Sequence, residues 1–206
     1  MYKKKLPERS ILIKKWVNGK TVLHLGCVQG SWKSAYRKEW IHGIIDKLSK
    51  KTVGIDILEE DVKKLNELGY DVRYGDAQKF DIREKFDLIF AGELIEHLDN
   101  FKGFFNSCKK HMHDDSVLIL TTPNSFGIRY FIRYFIKQDI VNKEHTCWFD
   151  INTMKQLVKR FDLRIIDIKF ITLDVQYVRG VRRIILNLLE TTFPKIAPRL
   201  FLVLKQ

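Results

Sequence analysis

The run TVLHLGCVQG at 21–30, followed by VGID at 53–56, restricts what this chain can fold into more than any other feature. Val22, Leu23 and Leu25 spell a short buried strand, Gly26 and Gly30 let the backbone turn tightly, and a helical stretch begins near Ser31. A strand, a glycine turn and a helix in that order read as a dinucleotide-type binding edge, and this turn would hold an adenosyl ligand. Asp56 ends a second apolar strand over 52–55, where one carboxylate can take both hydroxyls of a ribose while glycine-rich backbone approaches the rest of the ligand. The later strands strengthen this reading, because each finishes in a polar residue at the edge where open α/β sheets bind ligands.

Apolar patterning places strands near 21–25, 52–56, 71–74, 86–91, 116–121, 163–172 and 199–205. Helical stretches fall between them near 31–49, 59–68, 100–112, 151–161 and 180–191. This alternation predicts an α/β, Rossmann-like, mostly parallel sheet with helices on both faces. The last strand, RLFLVLK, has no crossover helix after it. With 206 residues and no internal repeat, low-complexity segment or linker, one domain over 1–206 is expected, large enough to bury a sizeable core.

The cysteines Cys27, Cys108 and Cys147 have no CxxC spacing, which fits a reduced, cytoplasmic setting, and neither Cys27 nor Cys147 has an activating pattern of a nucleophile beyond the site itself. The start MYKKKLPERS leads into no apolar stretch of signal length, and nothing approaches the ~18 apolar residues of a membrane span. The net charge of +12 is concentrated at the ends. Residues 1–20 carry seven Lys/Arg against Glu8, and residues 177–206 carry six against Glu190. Basic ends on a near-neutral body suit a phosphate-bearing substrate, an anionic membrane surface or nucleic acid, and equally well plain solvated lysine-rich termini.

One insertion, SFGIRYFIRYFIKQDIVNKEH at 125–145, separates the fifth strand from the helix near Ile151. Arg129, Arg133 and Lys137 recur every four residues and so predict a single basic stripe, with Ile128, Phe131, Ile132 and Phe135 on other faces. Such a basic amphipathic helix would be a lid over the ligand edge, a peripheral anchor on a bilayer, or an ordinary half-buried helix. The stretch RGVRRIILNLLETTFP at 179–194 has a related pattern and would complete the same surface.

HLGCVQG, GID, the GDA of Gly75, Asp76 and Ala77, and FDLIFAGELIEHL together resemble the successive strand-end motifs of the class I S-adenosylmethionine-dependent methyltransferases. The likeness spans nearly the whole chain. It implies a seven-stranded sheet whose final strand runs antiparallel, with S-adenosyl-L-methionine as cofactor. Asp56 would then lie on the ribose with Ile57 beside it, Asp76 and Ala77 would lie beside the adenine, and Gly26, Cys27, Gly30 and Glu93 would approach the rest of the cofactor. Two positions depart from the family pattern: His24 stands where an acidic residue is common, and Val28 replaces the middle glycine. Close backbone approach at Val28 is therefore not expected, and the Gln29 amide would compensate.

The fourth strand runs into Glu93, Glu96 and His97, an ExxEH spacing that puts two carboxylates and an imidazole on one face if a helix begins there. His145, just beyond the TTPN of the fifth strand, is the best candidate for a fourth ligand. Mixed oxygen and nitrogen donors suit Mn²⁺, Fe²⁺ or Zn²⁺, which would fix an acceptor hydroxyl and favour its deprotonation. This combination is similar to two methyltransferase branches, the ubiquinone-biosynthesis O-methyltransferases and the small-RNA 2′-O-methyltransferases. Relatives without a metal also carry a Glu-His pair here, so direct contact with substrate or cofactor and a structural role stay open. Without metal, His145 or His97 would serve as general base, with Glu96 as a further catalytic group.

Asp87, at the start of the fourth strand, reads as structural, and Pro123 with Asn124 as either the floor of an acceptor pocket or a turn. His111 and His113, beside Asp114 and Asp115, are expected on the surface. Trp16, Trp32, Trp40 and Trp148 read as core or lid aromatics, with Trp148 near enough to His145 to touch an acceptor.

The function expected is methyl transfer to oxygen on a small-molecule or lipid-linked acceptor of glycan or quinone type, by a monomer or homodimer. RNA 2′-O-methylation is a rival, weakened by the lack of a stacking-aromatic platform. A non-catalytic adenosyl-binding or membrane-associated protein is the rival from another class. A nicotinamide-dependent oxidoreductase would leave the GDA and ExxEH segments without a role.

Overall fold

A computed structural model describes residues 6–136, 141–172 and 180–206, and only the backbone over 180–183. Among these are β1 (Thr21–Leu25), β2 (Lys51–Asp56), β3 (Val72–Tyr74), β4 (Phe86–Gly92), β5 (Met112–Pro123), β6 (Arg164–Ile171) and β7 (Arg199–Lys205). They form one sheet in the order β3-β2-β1-β4-β5-β7-β6. The first five run parallel, and β7 is inserted antiparallel between β5 and β6. The expected α/β sheet with an antiparallel last strand is what the chain forms.

Both faces of the sheet are covered, which explains why its strands read as apolar runs and not as alternating patterns. Leu23, Leu25, Ile55, Ile89, Leu118, Leu120 and Leu202 point to one face, against α4 (Phe101–Lys110) and α6 (Ile151–Lys159). The intervening Val22, Leu88, Phe90, Ile119 and Val203 point to the other, against α1 (Arg9–Val17) and α2 (Ile41–Leu48). α3 (Glu59–Glu67) follows β2, α5 (Ile128–Ile136) follows β5, and α7 (Gly180–Thr192) precedes β7. No helix among the described residues is long and apolar enough to cross a membrane.

Several local expectations change. The helix expected over 31–49 is broken into a 3₁₀ turn at Trp32–Tyr36 and α2, because Arg37 and Trp40 take extended backbone between them. α1 was not foreseen, since its KKW-rich sequence has only a weak apolar periodicity, yet Ile13 and Val17 are fully buried. His111 is not on the surface. It is buried, its Nε2 accepts from the Ile82 N–H at 3.0 Å, and its Nδ1 meets the Ser107 carbonyl at 2.7 Å. His113 is exposed as expected.

The basic stripe on the insertion is also corrected. Arg129 is buried and turned toward α7, where its Nε meets Glu190 Oε1 at 2.5 Å, while Arg133 is exposed. Lys137, the third member of that stripe, lies outside the described residues.

Candidate functional site

The strand order reverses between β1 and β4, and there the carboxyl ends of the strands open a crevice. Its floor is the turn after β1. Gly26 takes φ +70° and its N–H donates to the Ile55 carbonyl at 2.9 Å, locking the turn to β2. A β-carbon on Gly26 would stand 3.2 Å from Leu94, so this glycine serves both the left-handed backbone and a close neighbour. Gly30 also takes a positive φ, +91°.

Asp56 sits at the tip of β2, nearly buried. One carboxylate oxygen accepts from Val28 N–H at 2.8 Å and the other from Leu58 N–H at 3.2 Å. Burial raises the pKa of Asp56, and the N–H groups of Val28 and Leu58 oppose that rise. Each oxygen keeps a further lone pair for a ligand hydroxyl. Asp56 lines a cavity of about 170 Å³ together with Gly26, Ile57, Asp76, Ala77, Leu94 and His97. A second cavity, of about 480 Å³, shares Ile55, Ile57, Gly75 and Asp76 with it and extends past Tyr74 and Phe80 toward the β3 edge. The smaller cavity is the one bounded by the β1 turn at Gly26 and by Leu94 and His97 beyond β4.

The structure therefore brings Gly26, Asp56, Ile57, Asp76 and Ala77 to one crevice, and sets Cys27, Val28 and Gln29 differently. Val28 and Cys27 are fully buried in a cluster with Trp40, Val62, Leu65 and Val72. The valine thus packs behind the loop and lines neither cavity. Burial, then the nearby Asp56, raise the Cys27 thiol well above its ordinary pKa. The Gln29 side chain accepts from the Ile41 N–H at 3.4 Å, at the start of α2. Its amide thus already serves the protein.

Beyond β4 the ExxEH segment does not start an α-helix. Glu93 takes φ +54°, and only a short 3₁₀ turn, Ile95–His97, follows. The three side chains are consequently not on one helical face. Glu93 Oε2 pairs with Arg199 of β7 at 2.7 Å. Glu96 is fully buried, and its Oε2 accepts from the Thr122 hydroxyl at 3.0 Å. Burial, reinforced by Glu93, pushes the Glu96 carboxyl up to about 8.

The segment that carries His145 is tied across this turn. Thr146 N–H donates to the Glu96 carbonyl at 2.9 Å, and the Thr146 hydroxyl donates to Leu98 O at 2.6 Å. The His145 ring stands edge-on to His97, with centroids 4.6 Å apart. Burial, then His97, lower the pKa of His145, so its imidazole is neutral at neutral pH.

Glu96, His97 and His145 each offer a ligand atom within 4.8 Å of the others. Glu93, the first residue of the expected ligand set, is not in this cluster but in the ion pair with Arg199. Buried and without a hydrogen-bond partner are Glu93 Oε1, Glu96 Oε1 and His145 Nδ1, with the indole N–H of Trp148 close by in sequence. Buried polar atoms left unpaired call for a partner, and here three of them fall in one region.

Three further residues were missed by sequence reasoning. Arg199 pairs with Glu93, Thr122 orients Glu96, and Tyr130 stands edge-on to Trp148, with ring centroids 5.1 Å apart. Arg199 and Tyr130 belong to segments remote from ExxEH, whereas Thr122, inside TTPN, was within reach of the motif. Pro123 ends β5, and the Asn124 amide donates to the Lys195 and Ala197 carbonyls, tying that strand end to the approach to β7. Asp87 accepts from the Thr21 N–H and hydroxyl, both at 2.8 Å, at the opposite edge.

The (S)-tetrahydroprotoberberine N-methyltransferase of Eschscholzia californica is 29% identical over 50% of this chain and 29% of its own length. The ubiquinone biosynthesis O-methyltransferase of Rhodopseudomonas palustris (strain BisB5) is 25% identical over 52% of this chain and 42% of its own length. The chain thus spans less than half the length of these curated relatives. Among solved structures, a SAM dependent methyltransferase from Archaeoglobus fulgidus superposes with a TM-score of 0.60 at 17% identity, covering 96% of this chain and 94% of its own. Residues 4–168 match the model of a family described as a methyltransferase domain, and to that methyltransferase family this chain belongs.

Proposed function

We propose that this chain is a single-domain, S-adenosylmethionine-dependent methyltransferase acting on an oxygen of a small-molecule or lipid-linked acceptor of glycan or quinone type. The observation that carries the reading is the meeting of two features at His97. It lines the cavity that holds Asp56, and it stands edge-on to His145, whose buried Nδ1 has no partner.

S-adenosylmethionine, when bound, supplies a sulfonium methyl whose S–C bond breaks as the bond to the acceptor oxygen forms, with loss of the acceptor proton. Asp56 would accept from the ribose hydroxyls through its remaining lone pairs. Ile57, Asp76 and Ala77 would frame the adenine, with Gly26, Cys27, Gln29, Gly30 and Glu93 around the remainder. Gln29 turns its side chain into the protein and would act through its backbone, whereas Cys27, fully buried with its carbonyl accepting from the Trp40 indole N–H at 3.0 Å, would only support the turn from behind. His145 is the proton acceptor, because its imidazole is neutral and its Nδ1 unpaired. Glu96, holding its proton near neutrality, offers that proton as a hydrogen bond that orients the acceptor. His97 fixes the His145 ring beside the cofactor cavity.

Glu96, His97 and His145 also fit a divalent ion, since Glu96 Oε1 and His145 Nδ1 are buried and unpaired. Such an ion would lend Lewis acidity to the acceptor oxygen. Activity that survives chelation, with no ion on elemental analysis, rejects this part alone. A second reading, methyl transfer to nitrogen, is favoured by the unpaired Oε1 of Glu93, which can accept a hydrogen bond from an amine N–H while the neutral nitrogen attacks and its proton passes to His145.

The test pairs calorimetry with S-adenosylhomocysteine and transfer of labelled methyl to a panel of phenols, sugar hydroxyls and amines. Wild type is expected to bind, and Asp56→Ala to lose binding by more than about tenfold. Glu96→Gln and His145→Gln should keep binding while losing about 100-fold or more of transfer. Absent binding in wild type, or equal loss of binding in all three variants, contradicts the assignment. Label found only on amines replaces oxygen with nitrogen.

A further inference from the structure

We infer that the outer face of α5 and α7 is a docking surface for an anionic lipid bilayer. The inference goes beyond the methyl-transfer reading and does not depend on it.

α5 is inside out. Its one buried side chain is a charge, Arg129, whereas Phe131, Tyr134, Phe135 and Ile136 are 62%, 65%, 73% and 71% exposed. Helices on a globular surface place these residue types the other way round. The inversion is held by α7. Arg129 reaches Glu190, itself 1% exposed, through two contacts of 2.5 and 3.0 Å, and also reaches Asn187 Oδ1 at 3.0 Å.

α7 repeats the pattern. Asn187 and Glu190, three residues apart, face α5, while Ile184 and Leu188, four apart, are 67% and 42% exposed, with Ile185 at 51%. The aromatic rings on α5 touch one another, Phe131 to Phe135 at 5.1 Å and Tyr134 to Phe135 at 5.9 Å, so they form a continuous apolar surface. An ion-paired seam thus holds two helices with their apolar sides turned to solvent.

Charge selects the occupant. The sequence of α7 carries Arg182 and Arg183, Lys195 is exposed just beyond it, and its one acid, Glu190, is buried in the pair with Arg129. The N-terminal segment, with seven Lys/Arg against one Glu over 1–20, reaches α7, where Leu6 lines a small cavity with Asn187, Glu190 and Thr191. Arg133 is exposed on α5 among the rings. Rings and aliphatic side chains together with the exposed Arg133 and Lys195 are the composition of an interfacial helix pair on an anionic leaflet. Nucleic acid fits less well, since Ile136, Ile184, Ile185 and Leu188 offer bases no stacking face.

The test is flotation of the full chain with phosphatidylcholine vesicles, with and without phosphatidylglycerol, at low and high salt. Wild type is expected to float with the anionic vesicles at low salt and to float at least about tenfold less with phosphatidylcholine alone. Phe131→Glu/Phe135→Glu, and separately Ile184→Glu/Leu188→Glu, should each lower flotation by about tenfold or more. All four side chains are exposed, so S-adenosylhomocysteine affinity and the thermal midpoint should stay at the wild-type values. No flotation with anionic vesicles, or flotation undiminished in both double variants, overturns the inference. So does a two-copy sedimentation mass that falls to one copy in these variants, which would make a second chain the occupant.

Discussion

Val28 stands where a third glycine would complete the β1 turn, and its environment decides what it costs. The isopropyl group is fully buried beside Trp40, Val62 and Val72, and its N–H is held by Asp56 at 2.8 Å. Val28→Gly therefore removes buried methyl groups and adds backbone freedom to the unfolded chain. An unfolding cost of about 2–3 kcal/mol is expected from urea titration, with no gain in S-adenosylhomocysteine affinity by calorimetry. Tighter binding in that variant would mean that the valine obstructs the crevice.

The same contrast explains which residues of the site were legible. Gly26 and Asp56 answer to backbone demands stated within a few residues of themselves. The side of the turn on which Val28 packs depends on α3 and β3, more than 30 positions away. His111 was misjudged for a similar reason: the acidic neighbours Asp114 and Asp115 suggested water, while its partner, the Ile82 N–H, comes from a distant loop.

Between elements, the Arg129–Glu190 pair is the seam that fixes α5 on α7. Spacing of four residues told which side chains share a face of α5 but not which face turns inward, because a buried glutamate on another helix decides that. The ExxEH segment shows the reverse limit. Its residues do gather at one strand end, yet through a left-handed Glu93 and a 3₁₀ turn in place of the expected helix. Removing one partner of a buried pair leaves an uncompensated charge, so Arg129→Ala should cost about 3–5 kcal/mol in chemical denaturation. Arg129→Met/Glu190→Leu, which removes both charges and keeps apolar volume, should recover most of that loss. A double variant no better than the single one would show that shape, not charge, joins the two helices.

For the whole molecule, the sheet separates two titrating regions, the crevice at its carboxyl edge and a buried imidazole pair on the α1–α2 face. His24 of β1 and His42 of α2 meet Nδ1 to Nδ1 at 3.1 Å, a hydrogen bond that requires one of the two nitrogens to be unprotonated. Burial is the main cause holding both rings neutral. It lowers His42 from 6.5 to about 4, and lowers His24 well below its ordinary value, with His42 and then Arg9 adding to the effect.

Between about pH 4 and 6.5 the unfolded chain therefore binds protons that the folded chain refuses, and stability must rise with pH across that window. Each ring contributes a slope approaching about 1.4 kcal/mol per pH unit, which halves near pH 6.5 and vanishes about one unit above it, where both states hold neutral rings. Urea unfolding of wild type and His42→Phe through this range measures the difference. The variant should lose about one ring's share of the slope, its curve converging on wild type toward acid relative to their separation at pH 7. The separation at pH 7 reports packing against Trp40 and Tyr70, whose rings lie 5.2 and 5.8 Å from His42, together with the lost hydrogen bond to His24. Curves that stay parallel from pH 7 to 4 would mean that His42 keeps its proton in the folded chain, and that acid sensitivity resides elsewhere.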